Sequence, residues 1–180
     1  AVVWADFNAA DDQYFGQPYG SFDSRSIMVQ WMNRDQNNLK FYAVDPANGS
    51  KKETYDEKQN SWINLDHDER ITYLADNKHY ILKSDRTGWA HYHLYTLDGK
   101  RLNALTDGDW QVSSLELVDE KNKIVYFTAR KENSATTDLY RVDYSGKNLK
   151  RLTFGNYSHQ IKIAPDGKHF ITNYSNVETP

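Results

Sequence analysis

The side chains of this sequence that could do chemistry are histidines and carboxylates, since it has six His, 25 Asp and Glu, and no Cys. His91 and His93 alternate along one predicted strand, so both imidazoles point to the same face. A zinc site needs a third and usually a fourth ligand at recognisable spacing, and the sequence offers none beside this pair. We therefore expect no metal ion and no cofactor.

Acidic residues are also paired in predicted loops, as Asp11-Asp12, Asp66 with Asp68, and Asp107 with Asp109. Such pairs could bind calcium or supply the carboxylates of a glycoside hydrolase, which face one sugar about 5 to 10 Å apart. Short Asp-rich loops between strands are more often turns, because the carboxylate accepts backbone N–H groups. We favour turns and keep glycoside hydrolysis as an alternative.

The sequence lacks the usual motif of a hydrolytic serine nucleophile. A catalytic serine usually lies in a Gly-x-Ser-x-Gly turn with Asp and His partners, because its hydroxyl must be exposed and activated. The sequence contains no such pentapeptide and no cysteine. We therefore name no catalytic residue.

The elements that carry these side chains follow from an internal repeat. A pentapeptide of the form apolar, Tyr, any residue, apolar, Asp occurs at Phe41–Asp45, Leu94–Asp98 and Leu139–Asp143. Each copy is preceded, at the same distance of 12 residues, by a strand-like run that contains Val29, Leu82 or Phe127. Three matching offsets indicate one structural unit used three times.

Turn signals separate the strands of each unit. Hairpin signals follow the pentapeptides at Asn48-Gly49, Asp98-Gly99 and Ser145-Gly146. Another turn opens the preceding strand, at Asp23-Ser24, Asp76-Asn77, Asp166-Gly167 and, in a degenerate copy that lacks the Asp, Lys121-Asn122. Each unit then has four short antiparallel strands in about 45 residues, which is the size of one β-propeller blade.

The predicted fold is therefore all-β, a partial β-propeller of about three four-stranded antiparallel blades plus part of a further blade. We place the blades at 13–62, 63–111 and 112–156, with the partial blade at 157–175. A closed propeller has at least four blades, so we expect residues 1–180 to be one propeller fragment excised from a longer protein.

Composition excludes two classes of partner. The net charge is −3 with both signs interleaved, so no basic stripe could follow a nucleic acid backbone. The longest apolar runs, such as Ile124 to Phe127, are too short to cross a bilayer. We expect neither nucleic acid binding nor a membrane span.

Three stretches resemble one family of propellers in particular. Ser26–Asn37 resembles the strand and loop "LQWLNRxQN" of dipeptidyl-peptidase IV-type serine exopeptidases, which belong to the prolyl oligopeptidase-like enzymes. Asp85–Tyr95 is similar to the family's "ERDGWxHLYLY", with Tyr92 and His93 in place of Leu and Tyr, and Leu105–Val112 is similar to "LTxGxWEV". The resemblance covers Tyr14 to Asn176, in the C-terminal part of the propeller, and we expect a bacterial member.

The resemblance implies that the parent protein releases N-terminal dipeptides, Xaa-Pro or Xaa-Ala, and that this segment gates and orients the peptide. The family's catalytic α/β-hydrolase domain would follow this segment and is absent from it. The adjacent glutamates that hold the peptide's N-terminus in the family have no counterpart here, since the sequence has no Glu-Glu. The resemblance also implies that His91 is structural and forms hydrogen bonds between strands.

The resemblance implies one candidate site. Trp62-Ile63-Asn64-Leu65 resembles the start of the family's "WINxxDDLTFL" region, a loop that approaches the substrate from the propeller side. Trp62 and Asn64 are therefore our candidate substrate-contacting residues. The alternative is that Trp62 is an outer-strand aromatic that packs on the next blade.

A second function remains open, a free-standing β-propeller that binds a protein partner through its loops. The expected partners are otherwise the peptide substrate and the hydrolase domain of the same parent chain. Bare terminal blades also predict self-association of the fragment. Resemblance to bacterial members implies a periplasmic or extracellular location.

Overall fold

The computed structural model describes residues 2–16, 18–21, 24–63 and 70–179 of the chain. Within these ranges there are fifteen β-strands and no helix, so none of the described segments is a helix able to cross a bilayer. Two of the sheets are simple four-stranded antiparallel sheets. The all-β prediction with four-stranded antiparallel sheets is confirmed.

The chain divides into two compact units, Ala1–His67 with Leu97–Lys100, and Asp68–Thr96 with Arg101–Pro180. The first unit holds one five-stranded sheet with the order β1, β3, β4, β5, and β2 also pairs with β3. Its strands are β1 Gln13–Phe15, β2 Tyr19–Gly20, β3 Ile27–Asn33, β4 Asn38–Val44 and β5 Lys51–Lys58.

The second unit holds three sheets that follow one another along the chain, each in simple sequential strand order. The first consists of β6 Ile71–Tyr73, β7 His79–Ser84, β8 His91–Thr96 and β9 Arg101–Ala104. The second consists of β10 Gln111–Asp119, β11 Ile124–Arg130, β12 Asp138–Asp143 and β13 Lys150–Arg151. The third has only β14 Ser158–Ile163 and β15 Phe170–Ser175. The blade boundaries proposed from the sequence stay predictions.

The repeated pentapeptide has the same structural role in all three copies. It begins within β4, β8 or β12, and this strand pairs antiparallel with the one that precedes it, β3, β7 or β11. The pentapeptide tyrosine pairs with Val29 in the first copy and with Phe127 in the third, whereas in the second copy Tyr95 pairs with Tyr80, so the register differs there.

The predicted turns use backbone that favours glycine or asparagine. Gly49, Gly99 and Gly146 all have positive φ at the hairpins after the pentapeptides. In the second unit, Asn77 also has positive φ, and the Asp76 carboxylate accepts the N–H groups of Lys78 and His79. Burial opposes the charge of Asp76, but these bonds and one to the His79 ring outweigh it and lower the pKa of Asp76.

The degenerate turn at Lys121-Asn122 also has a carboxylate acceptor and a residue with positive φ, but at different positions. In the third copy the carboxylate comes from Asp119, which accepts the Asn122 N–H at 3.0 Å. The positive φ of 57° moves one position along, to Lys123. The turn therefore keeps its acceptor although the Asp of the other copies is missing.

The core of the second unit lies between its two four-stranded sheets. Trp110 stacks on Phe127 with ring centroids 6.4 Å apart, and Phe127 stacks on Tyr140 at 5.8 Å. Tyr92, from the neighbouring sheet, meets the Phe127 ring edge to face. Trp89 is 42% exposed and lies outside this core, in the bend before β8.

A threonine closes each of these two sheets after the outermost strand. The Thr106 hydroxyl accepts the Tyr92 N–H at 3.0 Å, and the Thr153 hydroxyl accepts the Leu139 N–H at 3.1 Å. Both threonines are buried and follow a leucine whose N–H donates to the same strand. The Leu-Thr pair of the repeat therefore continues the ladder where regular pairing ends.

We expect Thr106→Val to lower the free energy of unfolding by about 1 to 3 kcal/mol, because a methyl group leaves the buried Tyr92 N–H without its acceptor. Denaturant unfolding followed by circular dichroism measures the change. Thr87→Val, at an exposed position, is the matched control. Equal stability of the two variants would contradict a role for the hydroxyl.

Candidate functional site

Trp62 is one of the two residues singled out from the sequence, and the structure places it outside any strand. It follows the end of β5, and its side chain is 77% exposed. The alternative interpretation, an aromatic residue on an outer strand, does not describe this position. The second candidate, Asn64, lies outside the described residues.

Strand register brings the surroundings of Trp62 to one end of the first sheet. Asn38 at the start of β4 pairs with Lys58 at the end of β5, and Gln13 in β1 pairs with Asn33 at the end of β3. The β3–β4 turn, the start of β1 and the segment after β5 are therefore neighbours. This turn, residues 34–37, is the C-terminal end of the Ser26–Asn37 stretch that resembles the family.

Asn33 shapes that turn. Its side-chain oxygen accepts the N–H groups of Asn37 at 3.1 Å and Asn38 at 2.9 Å, and its side-chain nitrogen donates to the Asn37 side chain at 2.8 Å. Gln36 has a φ of 54°, which an L-residue adopts only when its surroundings require it. Three local hydrogen bonds thus hold the turn in one conformation.

The segment that carries Trp62 is attached to this turn through backbone hydrogen bonds. The Gln59 N–H donates to the Asn37 carbonyl at 2.9 Å, and the Ile63 N–H donates to the Gln36 carbonyl at 2.7 Å. Ile63 is buried next to the exposed Trp62. The buried neighbour anchors the segment while the indole remains available to solvent.

A groove of about 530 Å³ lies between the turn and this segment. It is lined by Tyr14, Arg34, Asp35, Gln36, Asn37, Asn60, Ser61 and Trp62. The Arg34 guanidinium donates to the Tyr14 hydroxyl, lies 5.5 Å from the centre of its ring and is 3.6 Å from an Asp12 carboxylate oxygen. The groove is polar, with one wall formed by the exposed indole.

His91 and Asp107, two further candidates from the sequence, form hydrogen bonds within the chain. Both ring nitrogens of His91 have partners, the Thr106 hydroxyl at 3.0 Å and the Gly108 carbonyl at 2.9 Å. Asp107 accepts the Gly108 N–H, as expected of a turn residue. No group of three potential metal ligands occurs among the residues that the structure describes.

Sequence reasoning missed the other side chains of the groove. Tyr14, Arg34 and Asp35 were read only as part of a strand or a family motif, and Asn60 was not considered. The sequence did contain a sign of this site, since two short polar runs, residues 34–37 and 59–61, each follow a strand. Strand register, which the sequence did not reveal, was needed to bring those runs together.

Comparison with known proteins decides the family. The family model for the dipeptidyl peptidase IV (DPP IV) N-terminal region matches residues 2–180. The chain belongs to this family. The resemblance proposed from the sequence motifs is thereby confirmed.

Similar proteins show how much of the DPP IV architecture is covered. Dipeptidyl peptidase 4 of Arthroderma otae is 30% identical over 159 residues, which are 86% of this chain and 20% of that protein. Dipeptidyl peptidase 4 of Trichophyton rubrum gives the same identity and the same coverage. The chain therefore spans about a fifth of the length of these curated DPP IV relatives.

Solved structures support the fold of this DPP IV region. The crystal structure of Porphyromonas gingivalis dipeptidyl peptidase 4 superposes with a TM-score of 0.84 at 23% identity, over 99% of this chain and 25% of that one. A dipeptidyl aminopeptidase IV from Bacteroides ovatus gives a TM-score of 0.77 at 24% identity, over 95% of this chain and 27% of that one. The predicted partial propeller agrees with both.

We expect Asn33→Ala to loosen the groove, because the Asn37 and Asn38 N–H groups lose their shared acceptor. Their amide hydrogen exchange, followed by NMR, should become at least about fivefold faster, in line with the loss of about 1 kcal/mol per hydrogen bond. Asn33→Asp keeps the acceptor and is the control. Unchanged exchange in Asn33→Ala would show that the turn does not need this side chain.

Proposed function

We propose that this chain is the non-catalytic propeller segment of a DPP IV-like serine exopeptidase that releases Xaa-Pro or Xaa-Ala dipeptides. The observation that carries the proposal is the match of residues 2–180 to the N-terminal region of the family, together with coverage of only a fifth of the full relatives. The serine nucleophile would then belong to a hydrolase domain elsewhere in the parent protein.

The role of this segment in the parent enzyme is to gate and orient the peptide. Its candidate contacts are Trp62 and Asn64, and the exposed indole at the end of the first sheet supports a role for Trp62. An aromatic ring offers a peptide a flat apolar surface at little entropic cost. The proposed location is the periplasm or the cell exterior, as for bacterial members of the family.

We expect the full-length protein of the parent gene to hydrolyse a Gly-Pro chromogenic substrate and to lose this activity after treatment with a serine-directed fluorophosphonate. In that protein, Trp62→Ala should raise KM by about two- to tenfold for peptides longer than the dipeptide, with kcat unchanged, because it removes ground-state binding. Trp4→Ala, at another highly exposed tryptophan, is the control.

A parent gene without a hydrolase domain would reverse the proposal and favour a free-standing binding module. Activity with no difference between Trp62→Ala and Trp4→Ala would keep the enzyme and exclude Trp62 as a substrate contact.

Self-association of this chain is proposed for the edge of its two-stranded sheet. The Ala164 N–H donates to the His169 carbonyl. In an antiparallel pair every second residue forms hydrogen bonds with the partner strand, so the backbone N–H and C=O groups of residues 170, 172 and 174 point away from β14. Among the residues that the structure describes, no strand pairs with β15 on that side, and Ile171 is 76% exposed. Two copies could pair these edges antiparallel, with Phe170 opposite Tyr174 of the other copy.

We expect sedimentation velocity of this chain to show concentration-dependent dimers, and Ile171→Lys to reduce them, because a charge on an edge strand disfavours strand addition. Val2→Lys, at an exposed position outside the strands, is the control. A monomeric profile at high concentration would exclude pairing through this edge.

A further inference from the structure

The groove beside Trp62 has an unbalanced charge. Arg34 is already matched, since its guanidinium lies 3.6 Å from the Asp12 carboxylate and donates to the Tyr14 hydroxyl. Asp35, on the same turn, makes no hydrogen bond or ion pair with any residue in the described ranges and is exposed. Of the two charged residues that line the groove, Arg34 is therefore paired and Asp35 has no counter-charge among the described residues.

The aromatic side chains of the groove, like the Asp35 carboxylate, favour a positively charged ligand. The face of an indole carries negative electrostatic potential and attracts ammonium or guanidinium groups more strongly than other aromatic rings do. The Arg34 guanidinium already lies over the Tyr14 ring, whereas 77% of the Trp62 side chain is exposed to solvent. The indole and the Asp35 carboxylate line the same groove, and each favours a positively charged group.

The other groups that line the groove suit a peptide. The side chains of Gln36, Asn37 and Asn60 carry amides, which both donate and accept hydrogen bonds as peptide groups do. A metal ion is a poorer fit, because it would require several oxygen ligands on one centre. No such set of acidic and histidine ligands occurs in the part of the chain that the structure describes.

From these observations we infer that the groove lined by Tyr14, Asp35, Asn60 and Trp62 is a subsite for a lysine or arginine side chain of a bound peptide. The ammonium or guanidinium group lies against the Trp62 indole and pairs with the Asp35 carboxylate, while the amide side chains bind the peptide backbone. The inference rests on the proposed function, to which it adds a preference for basic residues outside the dipeptide that is released.

The test is an NMR titration of the isotope-labelled chain with three capped pentapeptides, acetyl-Gly-Gly-Xaa-Gly-Gly-amide, in which Xaa is Lys, Gln or Glu. The Trp62 indole N–H signal is assigned by its loss in Trp62→Phe. We expect this signal to shift with the Lys peptide at about two- to fivefold lower concentration than with the Gln peptide, and the Glu peptide to bind most weakly.

Two variants with matched controls examine the contacts. Asp35→Asn should remove most of the preference for Lys over Gln, whereas Asp109→Asn, at an exposed carboxylate outside the groove, should retain it. Trp62→Ala should weaken binding of the Lys peptide, monitored by the backbone amides of residues 34–37, whereas Trp4→Ala should not. Added salt should reduce the preference for Lys, because exposed charges are screened.

Equal binding of the three peptides, or a preference for Glu, would overturn the inference. Shifts confined to other parts of the chain would also overturn it, because the groove would then not be the site. The titration involves no hydrolysis, so a parent protein without dipeptidyl peptidase activity would refute the proposed function and leave this binding result standing. Conversely, an active parent enzyme whose chain does not discriminate among the peptides refutes only the subsite.

Discussion

The middle strands of the four-stranded sheets in the second unit must be covered on both faces, and the rest of that unit depends on this requirement. Strands β8 and β11 each contain five consecutive buried residues, a pattern that one exposed face would not allow. The aromatic layer of Trp110, Phe127 and Tyr140 covers the inner faces between the sheets. By contrast, no residue of β15 in the two-stranded sheet is buried. Burial therefore follows from stacking sheets and not from pairing strands.

In a structure built of stacked sheets, side chains available for function lie at the ends of the strands. Strand interiors are occupied by packing, and buried polar groups there need partners, as the contacts of His91 with Thr106 and Gly108 illustrate. At the ends of the first sheet, turns leave backbone and side chains in water at small cost. The Asn33 side chain and the backbone bonds of Gln59 and Ile63 give these turns defined positions. An exposed tryptophan can then be presented on a rigid support, which is what peptide recognition requires.

The repeat explains why so much of the fold could be predicted. A period-two pattern and Asx-Gly turns are local properties, so the pentapeptide strands and their hairpins followed from adjacent residues. The contacts of the Thr106 and Thr153 hydroxyls with Tyr92 and Leu139 were not predicted, because they depend on how the outer strand lies beside its neighbour. The turn at Asn122 shows that a motif can lose a residue when a neighbour, here Asp119, supplies the same acceptor.

The amino-acid sequence by itself determined the all-β class, the hairpins after the pentapeptides and the family, because each depends on residues close together in the chain. It also singled out Trp62. Only the tertiary structure decided what surrounds that tryptophan, since Tyr14, Arg34 and Asn60 are far apart in sequence and meet through the register of β1, β3, β4 and β5. The balance of charge in the groove is likewise a tertiary property. Whether a carboxylate such as Asp35 has a partner depends on distances between atoms, and no spacing along the chain contains that information.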